Sequence, residues 1–349
     1  MPESSSARPA LVTGGAGFVG RHVTRRLLAE ERDAWIVDDL STGKHPDTWL
    51  PDAYLSAASG EGPWRIYRGP STVVFLEGDA RPFFDGVLPG GGPAVPDFGD
   101  VIHLAAVVGG RAMIDGNPIA VAIDLAMDAG MYNWAVHARP SRILYASSSA
   151  AYPVDLQGTD GAVALKESDI RFGGSLGQPD MSYGWSKLSG EYLGTLAAEH
   201  HGLHVACVRP FSGYGEEQDE TYPIPAIAAR AARREAPLTV WGSGLQGRDF
   251  VHIDDCVEAM FRILDAVSDG SGVNIGSGRL TNFLEVAALF AKLEGYEPEI
   301  RPLVDKPVGV HSRYADTTFS KELLGWQPEI SLEEGFGRVL ERARARHTS

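Results

Sequence analysis

A tyrosine and a lysine four positions apart, Tyr183 and Lys187, are the first residues whose types and spacing suggest chemistry. On a helix this spacing puts both side chains on one face. A free tyrosine has a pKa of about 10 and is no base at neutral pH, but a neighbouring cation stabilises its phenolate. Lowering such a pKa to about 7 takes roughly 4 kcal/mol. The pair therefore predicts a tyrosine general base, although an isolated pair of this kind also occurs as an ordinary surface contact.

A glycine-rich segment near the start of the chain has the spacing of a phosphate-binding turn. Gly14, Gly17 and Gly20 follow the predicted strand Ala10–Val12 and precede a helical pattern. In this context the three glycines allow a tight turn, close approach of the backbone to a ligand, and close packing of helix on strand. A pyrophosphate can bind the free amides and the positive end of that helix. The segment predicts a dinucleotide site.

Two carboxylates, Asp38 and Asp39, follow the second predicted strand, Ala34–Val37. A carboxylate at this position accepts hydrogen bonds from the adenosine ribose 2′-hydroxyl and repels a 2′-phosphate. Asp38 follows the strand directly and is the preferred ribose ligand, whereas Asp39 is expected to serve the loop. The predicted cofactor is therefore NAD, and its positive nicotinamide ring would be a second cation beside Tyr183.

Short apolar runs rich in β-branched residues alternate with helical patterns through the first two-thirds of the chain. Such runs are typical of strands buried on both faces of a parallel sheet. The runs are Ala10–Val12, Ala34–Val37, Thr72–Leu76, Val101–Leu104, Arg142–Tyr145 and His204–Val208. The longest helical patterns are Ile119–Ala138 and Tyr183–His201, and the second stops at Gly202. The alternation predicts an α/β fold, a Rossmann doubly wound parallel sheet.

The chain is expected to have two lobes. Residues 1–7 are predicted to be a loose polar tail, and 8–210 a NAD-binding Rossmann domain to which some C-terminal segments return. Residues 211–349 are predicted to form mainly a smaller α/β substrate-binding lobe. The segments 41–71 and 85–99 are rich in proline and glycine, and they are predicted to be surface insertions without an assigned role.

Composition excludes several classes of partner. The formal net charge is −15, which argues against nucleic acid or an anionic membrane as a partner. The sequence has no apolar stretch near about 18 residues, so no membrane span is expected. Cys207 and Cys256 lie in apolar runs and are predicted to be buried free thiols in a reducing compartment. With an N-terminus unlike a secretion signal, these features predict a cytoplasmic protein. No metal site is predicted.

Over nearly its whole length the chain resembles the extended short-chain dehydrogenase/reductase family. The spacing Gly-x-x-Gly-x-x-Gly and the segments 37–43, 77–80 and 101–106 look like that family's phosphate, ribose, adenine and nicotinamide-side loops. On this resemblance Asp79 and Ala80 border adenine. The implied cofactor-site residues are Gly14, Gly17, Phe18, Val19, Gly20, Asp38, Asp39, Asp79, Ala80, Leu104, Ala105, Ala106, Tyr183 and Lys187.

The resemblance also assigns a serine. Family members carry a serine or threonine, four residues before the tyrosine of the loop after the fifth strand, that hydrogen-bonds the reacting sugar oxygen. Counting back from Tyr152 gives Ser148, whereas Ser147 and Ser149 are more typical of a turn. Two residues later, dehydratases and decarboxylases usually have glutamate, and the GDP-mannose 3,5-epimerases have cysteine. Ala150 stands there and can transfer no proton, which disfavours reactions that abstract a proton from C3 or C5.

The segment from 242 to 259 resembles the family's sugar-nucleotide segment, most closely in the GDP-mannose 3,5-epimerase branch. The resemblance implies that Arg248 and Arg313 contact a diphosphate, whose oxygens match the planar fork of arginine. Ser212 stands where the family usually has asparagine, and segment 220–225 lacks the lysine that the 3,5-epimerases use as a second acid/base. The implied substrate residues are Gly109, Gly110, Ser148, Ser149, Ser212, Arg248, Arg313 and Asp316.

Together these features predict a NAD-dependent nucleotide-sugar 4-epimerase that acts through a transient 4-keto intermediate, with Ser148, Tyr183 and Lys187 as catalytic residues. One alternative is an enzyme like GDP-mannose 3,5-epimerase, acting on a manno- or heptose-configured nucleotide sugar. Others are a nucleotide-sugar dehydratase or decarboxylase, and a non-catalytic NAD-binding regulator, against which the intact catalytic residues count. The family resemblance further implies a homodimer.

Overall fold

The computed structural model describes residues 8–107, 116–159 and 161–348, and the strands found there are short and mostly buried. In chain order they are β1 Ala10–Thr13, β2 Ala34–Asp38, β3 Trp64–Arg68, β4 Thr72–Glu77, β5 Asp100–His103, β6 Arg142–Ala146, β7 Ala164–Leu165, β8 Val205–Pro210, β9 Ser212–Tyr214, β10 Leu238–Trp241, β11 Gly247–Arg248, β12 Phe250–His252, β13 Asp269–Ile275, β14 Thr281–Asn282, β15 Ile300–Leu303 and β16 Ser312–Ala315.

The helices of the described residues include two long ones that pack side by side on the sheet. In chain order the α-helices are α1 Phe18–Ala29, α2 Asp52–Leu55, α3 Ala80–Phe84, α4 Pro118–Val121, α5 Ile123–Ala138, α6 Met181–His201, α7 Pro223–Ala232, α8 Ile253–Ala266, α9 Phe283–Glu294, α10 Thr318–Leu324 and α11 Leu332–Thr348. The predicted helix 119–138 is thus divided into α4 and α5. The predicted stop of α6 is correct, because Gly202 ends it with a left-handed φ of 62°.

Eight strands of the described residues form one sheet in the order β13-β8-β6-β5-β1-β2-β4-β3. All neighbours are parallel except β3 and β4, which are antiparallel. All six strands predicted from the sequence lie in this sheet, which confirms the doubly wound Rossmann fold. The chain runs outward from β1 in both directions, so the carboxyl ends of β1 and β5 frame the crevice where such sheets bind nucleotides.

Alternate residues of the central strands enter two different cores. Ala10 and Val12 of β1 join a cluster that contains Val23 of α1 and Ile263 of α8. Leu11 faces the other way and joins the cluster of α5 and α6. Because helices cover both faces, the central strands β1, β2 and β5 bury all of their side chains, which explains their nearly continuous apolar runs in the sequence.

The segments 41–71 and 85–99 are more than surface insertions, and the sequence-based interpretation needs correction here. The first contains β3, which adds an antiparallel strand to the edge of the sheet. Trp64 of β3 is 1% exposed, and its indole nitrogen donates a hydrogen bond to the carbonyl of Pro89 at 3.0 Å. Gly92 lies so close to this ring that a Cβ would be 2.2 Å from it. The two segments therefore interlock and cover the exposed edge of β4.

The chain beyond residue 210 contributes to two cores. β13 pairs with β8 and α8 packs on the large sheet, so these segments return to the first part of the fold. Helices α7, α9 and α11 surround a separate apolar cluster. The domain bounds given above stay a prediction. In the described part of the chain, no helix has both the length and the apolar character that a membrane span requires.

Candidate active site

The glycine turn between β1 and α1 has no room for side chains at two positions. Gly14 has a φ of +68°, and a Cβ there would lie 2.7 Å from the backbone nitrogen of Ala105. A Cβ on Gly20 would lie 2.2 Å from the carbonyl oxygen of Gly14. The first glycine thus lets the turn pass close to the end of β5, and the last lets α1 pack against that turn.

Gly17 is the residue that leaves the end of α1 accessible. It caps the helix in an extended conformation without a side-chain hydrogen bond, and Phe18 and Val19 form the first helical positions. A Cβ on Gly17 would meet only the oxygen of Gly14, at 3.1 Å. The first amides of a helix have no partner within it, so they and the helix dipole here suit a pyrophosphate. The turn therefore fits the phosphates of NAD.

Asp38 lies at the carboxyl end of β2, directly beside this turn. One carboxylate oxygen accepts a hydrogen bond from the amide of Ala16 at 2.9 Å, and the other accepts one from Leu40 at 2.8 Å. Burial raises the pKa of the Asp38 carboxyl, although these amides oppose the effect. Asp39 instead accepts from the amide of Ser41 in the exposed loop. Asp38 is thus the acid at the turn, and Asp39 is the acid of the loop.

The remaining predicted cofactor residues surround the same crevice in different ways. Asp79 caps α3 by accepting from the amide of Arg81 at 2.8 Å, and its hydrogen bonds with the Arg81 side chain lower the pKa of Asp79. Ala80 is buried and belongs to the core cluster that also contains Phe83 and Phe84. Leu104 donates from its amide to Thr13 at 3.1 Å, and Leu104, Ala105 and Ala106 continue from β5 as a half-buried segment.

Tyr183 and Lys187 lie on the first two turns of α6. The Lys187 ammonium is 5.9 Å from the centre of the Tyr183 ring, and the lysine is only 2% exposed. Burial alone would lower the pKa of Lys187, but the charges of Asp128, Tyr183 and Asp124 outweigh it and raise that pKa. The phenol therefore has a buried, charged ammonium as its neighbour.

A buried polar network supports this lysine, and sequence reasoning missed it. Asp128 accepts hydrogen bonds from the Tyr145 hydroxyl at 2.6 Å and contacts Nε2 of His103 at 3.1 Å. His103 Nδ1 lies 2.8 Å from the hydroxyl of Thr13, and the Lys187 ammonium lies 5.3 Å from the centre of the Tyr145 ring. Each member comes from a different element, so no local pattern connects them.

Asp124, one turn before Asp128 on α5, is a second buried carboxylate near the lysine. It is 0% exposed and accepts a hydrogen bond from the amide of Val107 at 2.7 Å. Its other oxygen has no hydrogen-bond partner among the described residues. Burial, opposed by the charge of Lys187, raises the pKa of Asp124 to about 6. The signal in the sequence was two acids four residues apart within a helical pattern that is otherwise largely apolar.

The loop after β6 holds Ser148 against the start of α6. Ser148 is half-buried and its hydroxyl accepts from the amide of Ala150 at 3.1 Å, whereas Ser149 is buried. Ser147 points away and donates to the buried carboxylate of Glu191. A Cβ on Gly184 would lie 2.3 Å from the Ala150 carbonyl, so the loop and the turn after Tyr183 are in direct contact.

Two of the predicted substrate residues are arginines on small strands that pair with each other. Arg248 of β11 and Arg313 of β16 are register partners, so the two arginines are adjacent. Arg248 donates to the carbonyl of Val308 at 3.1 Å. Arg313 forms an ion pair with Asp180 at 2.8 Å, immediately before α6. The two arginines are thus brought to the same side of the site, and one of them already contacts the catalytic helix.

The other substrate residues are less uniform. Ser212, at the start of β9, is half-buried and donates from its amide to the carbonyl of Asp249 at 2.9 Å. Asp316 accepts from the amide of Thr318 at 2.9 Å near the start of α10. Gly109 and Gly110 lie outside the described residues. No group of three or more possible metal-ligating side chains occurs within residues 8–107, 116–159 and 161–348.

Tyr222 is a further residue near the site for which the sequence carried no signal. It precedes α7 and lies in the segment without the expected lysine. Burial first, and then the charges of Tyr183 and Asp219, raise the pKa of Tyr222 to about 12. The phenol of Tyr222 is therefore within electrostatic reach of Tyr183.

Comparison with known proteins agrees with this geometry. The model of the NAD-dependent epimerase/dehydratase family matches residues 10–68 and 94–276, which include the glycine turn, the Ser148 loop and α6. The chain belongs to this family. It is therefore an enzyme of a NAD-dependent family, and the resemblance seen in its sequence is confirmed.

Individual relatives carry out more than one reaction. GDP-mannose 3,5-epimerase from Arabidopsis thaliana is 31% identical over 93% of this chain and 79% of its own length. UDP-glucose 4-epimerase from Mycolicibacterium smegmatis is 26% identical over 95% and 97% of the two chains. The crystal structure of UDP-glucose 4-epimerase from Thermotoga maritima with UDP-glucose is 26% identical, with a TM-score of 0.77 over 97% of this chain and 99% of that chain.

Proposed function

We propose that this protein is a nucleotide-sugar 4-epimerase that works through a transient 4-keto sugar. The observation that carries the proposal is the acid/base content of the crevice. The Tyr183–Lys187 pair lies beside the Ser148 loop, and the buried Ala150 of that loop has no proton to transfer. A C4 epimerisation needs one group that takes and returns a hydroxyl proton, and Tyr183 suffices for it.

Each residue of the site has its own role in this reaction. Tyr183, as phenolate, accepts the proton of the C4 hydroxyl while the Ser148 hydroxyl hydrogen-bonds the same oxygen. Lys187 stabilises the phenolate, and Asp128 and Asp124 keep the lysine charged. NAD⁺, held by the glycine turn and Asp38, would supply the acceptor and later the donor for the C4 hydride. After the keto sugar turns over, Tyr183 returns its proton to the oxygen of the opposite configuration.

The substrate class is a nucleotide-diphosphate sugar. Arg248 and Arg313 are neighbours on adjacent strands, and two planar guanidinium groups side by side suit a diphosphate. The relatives that act on UDP- and GDP-sugars support this class without selecting the base. The glycine turn and Asp38 would hold NAD, which ends each cycle in its starting redox state and is expected to stay bound.

The test is an assay of the purified protein with UDP-, GDP- and ADP-sugars, followed by NMR. We expect inversion at C4 without net formation of NADH, and at least about 100-fold slower formation of product by the Tyr183→Phe variant prepared in parallel. Lasting accumulation of NADH would exclude an epimerase, because the hydride would not have returned to the sugar.

A GDP-mannose 3,5-epimerase-like reaction is the second candidate, and Tyr222 is the observation that favours it. That reaction needs proton carriers beyond Tyr183. The Tyr222 phenol, in the segment without the lysine, is within electrostatic reach of Tyr183. Reaction in D₂O separates the two candidates. Deuterium at C3 or C5 that disappears in Tyr222→Phe would favour 3,5-epimerisation, whereas 4-epimerisation leaves both positions unlabelled.

We further propose a homodimer that forms through α5 and α6. Large apolar side chains lie on the outer side of these helices: Leu125 is 40% exposed, and Trp185 and Tyr192 are each 45% exposed. Aromatic residues are enriched in interfaces, where they bury large areas. A cytoplasmic location completes the proposal, supported by the two free, buried thiols of Cys207 and Cys256.

A further inference from the structure

The ion pair between Asp180 and Arg313 is a feature of the site that the proposed reaction does not use. The carboxylate of Asp180 lies 2.8 Å from the Arg313 guanidinium, and both side chains are nearly buried. The same guanidinium donates to the side-chain oxygen of Gln157 at 2.5 Å. The two partners come from positions 133 and 156 residues away in the sequence. Arg313 therefore joins three separate segments.

Asp180 connects the two segments that carry the proposed catalytic groups. Its amide donates to the carbonyl of Ala150 at 3.0 Å, in the loop of Ser148. Its carbonyl accepts from the amide of Gly184 at 2.8 Å, within the first turn of α6. Gly184 is the neighbour of Tyr183. A displacement of Asp180 would therefore change how Tyr183 is aimed relative to Ser148.

Gln157 stabilises the C-terminal end of the Ser148 loop. It is buried, and its amide nitrogen donates to the carbonyls of Tyr152 at 3.2 Å and Pro153 at 3.0 Å. Its own carbonyl accepts from the amide of His311 at 3.2 Å, just before β16. Arg313 thus contacts both catalytic segments: it binds the loop through Gln157 and the start of α6 through Asp180.

The turn at the start of α6 also needs an external restraint. Met181 has a φ of 55°, the left-handed region that residues with a side chain rarely adopt. It stands between Asp180 and Tyr183. Such a backbone conformation persists only where surrounding contacts determine it, and strain of this kind is typical of functional sites. The hydrogen bond and the ion pair of Asp180 are contacts of this kind.

We propose that Asp180 is a positioning residue: its ion pair with Arg313 fixes the turn that aims Tyr183 at the reacting oxygen. The inference rests on the proposed function, because that function makes Tyr183 the general base. Removal of the carboxylate charge leaves Arg313 in place, so turnover falls while nucleotide binding does not weaken. A role in folding alone would lower both together.

The test compares Asp180→Asn with Asp155→Asn, a matched control that changes an exposed carboxylate in the adjoining turn. We expect kcat of the 180 variant to fall about tenfold with KM within about threefold of wild type, and the binding of UDP, GDP or ADP to be equal or tighter. The control should behave as wild type. A kcat within twofold of wild type would overturn the proposal, as would parallel losses of kcat, binding and thermal stability.

A second measurement needs no sugar, so it separates the failure of this inference from that of the proposed function. The phenolate absorbance of Tyr183 in NAD-bound protein is obtained as the difference from Tyr183→Phe. Loss of a nearby negative charge would by itself move its titration midpoint to lower pH. We expect the midpoint in Asp180→Asn to move to higher pH, because the phenol leaves the Lys187 ammonium. An unchanged or lower midpoint would refute the positioning role even if no epimerisation is found.

Discussion

At the scale of single residues, the site consists of charges that are buried together. Lys187 is enclosed with two carboxylates, and Asp128 uses both of its oxygens on Tyr145 and His103. Buried charges are costly unless they are paired and hydrogen-bonded. The network therefore holds an ammonium near Tyr183 where solvent cannot screen it, which is the condition for a tyrosine to act as a base near neutral pH.

Replacing Tyr183 by phenylalanine removes only the hydroxyl. General acid–base groups contribute roughly 10² to 10⁴ in rate, so we expect turnover to fall by at least about 100-fold. NAD released from the denatured variant, measured by chromatography, should match wild type because the glycine turn and Asp38 are intact. Turnover within tenfold of wild type would show that another group is the base.

Replacing Asp124 by asparagine tests the buried carboxyl near Lys187. Its folded pKa of about 6 exceeds the value of about 3.9 in an unfolded chain. A raised pKa contributes stability that is complete below the unfolded value and is lost as pH rises through about 6, at most about 3 kcal/mol here. Asparagine still accepts from Val107 and does not ionise.

The melting temperature of Asp124→Asn minus that of the wild type should therefore be a larger (more positive) difference at pH 8 than at pH 5. Urea unfolding at both pH values gives the same comparison as a free energy. Asp155→Asn, an exposed carboxylate, is the control and should show no such pH dependence. A difference between variant and wild type that stays constant with pH would contradict the assigned burial effect.

At the scale of elements, the site depends on how closely α1 follows β1. The helix begins at Phe18, four residues after Gly14, and it reaches the carboxyl ends of β1 and β5 because Gly14 and Gly20 lack side chains. This close packing leaves the first amides of α1 pointing into the crevice. Helix α6 is placed in the same way, since Gly184 lets its first turn approach the Ala150 carbonyl.

Gly20→Ala should disrupt the cofactor site. The new Cβ would lie 2.2 Å from the Gly14 oxygen, which belongs to the backbone and cannot rotate away. We expect at least about tenfold weaker NAD binding, measured by calorimetry after removal of bound cofactor. The control is Gly337→Ala in α11, where the new Cβ would meet nothing within 4 Å. This variant should bind NAD normally, and its free energy of unfolding should rise by up to about 1 kcal/mol because alanine favours a helix more than glycine does. Normal NAD binding by Gly20→Ala would show that the turn at Gly14 tolerates a side chain at position 20.

At the scale of the whole molecule, segments distant in sequence complete the fold. β13 and α8 come from beyond residue 210 and close one side of the sheet, and β3 with segment 85–99 closes the other. The outer sides of α5 and α6 retain exposed apolar side chains. An apolar surface of this kind is the natural place for a second copy of the chain.

Trp185→Glu should separate the proposed dimer into monomers, because a carboxylate would be buried in an apolar interface. Sedimentation velocity measures the change. Phe319→Glu is the control, since Phe319 has the same 45% exposure but lies on α10. If the wild-type protein sediments as a monomer, the proposed dimer is refuted. If Trp185→Glu sediments as the wild-type protein does, the proposed interface through α5 and α6 is refuted.

What the sequence alone determined follows from local rules. Short, nearly continuous apolar runs and helical patterns, with a glycine turn between β1 and α1, identified six strands of the sheet and the two helical segments that became α5 and α6. The pairing of Tyr183 with Lys187 could be predicted because a helix has a constant rise and twist. Asp38 could be chosen over Asp39 because it directly follows a strand, and the two indeed differ in burial and partners.

Only the tertiary structure decided which polar residues are buried together. Asp124 and Asp128 look like an ordinary polar side of a helix, and their burial depends on β5, β6 and α6 packing over them. Segment 41–71 looks like a loop because its edge strand is stable only when paired with β4. Asp180 and Arg313 lie 133 residues apart, and such contacts arise from the packing of whole elements, which no local spacing encodes.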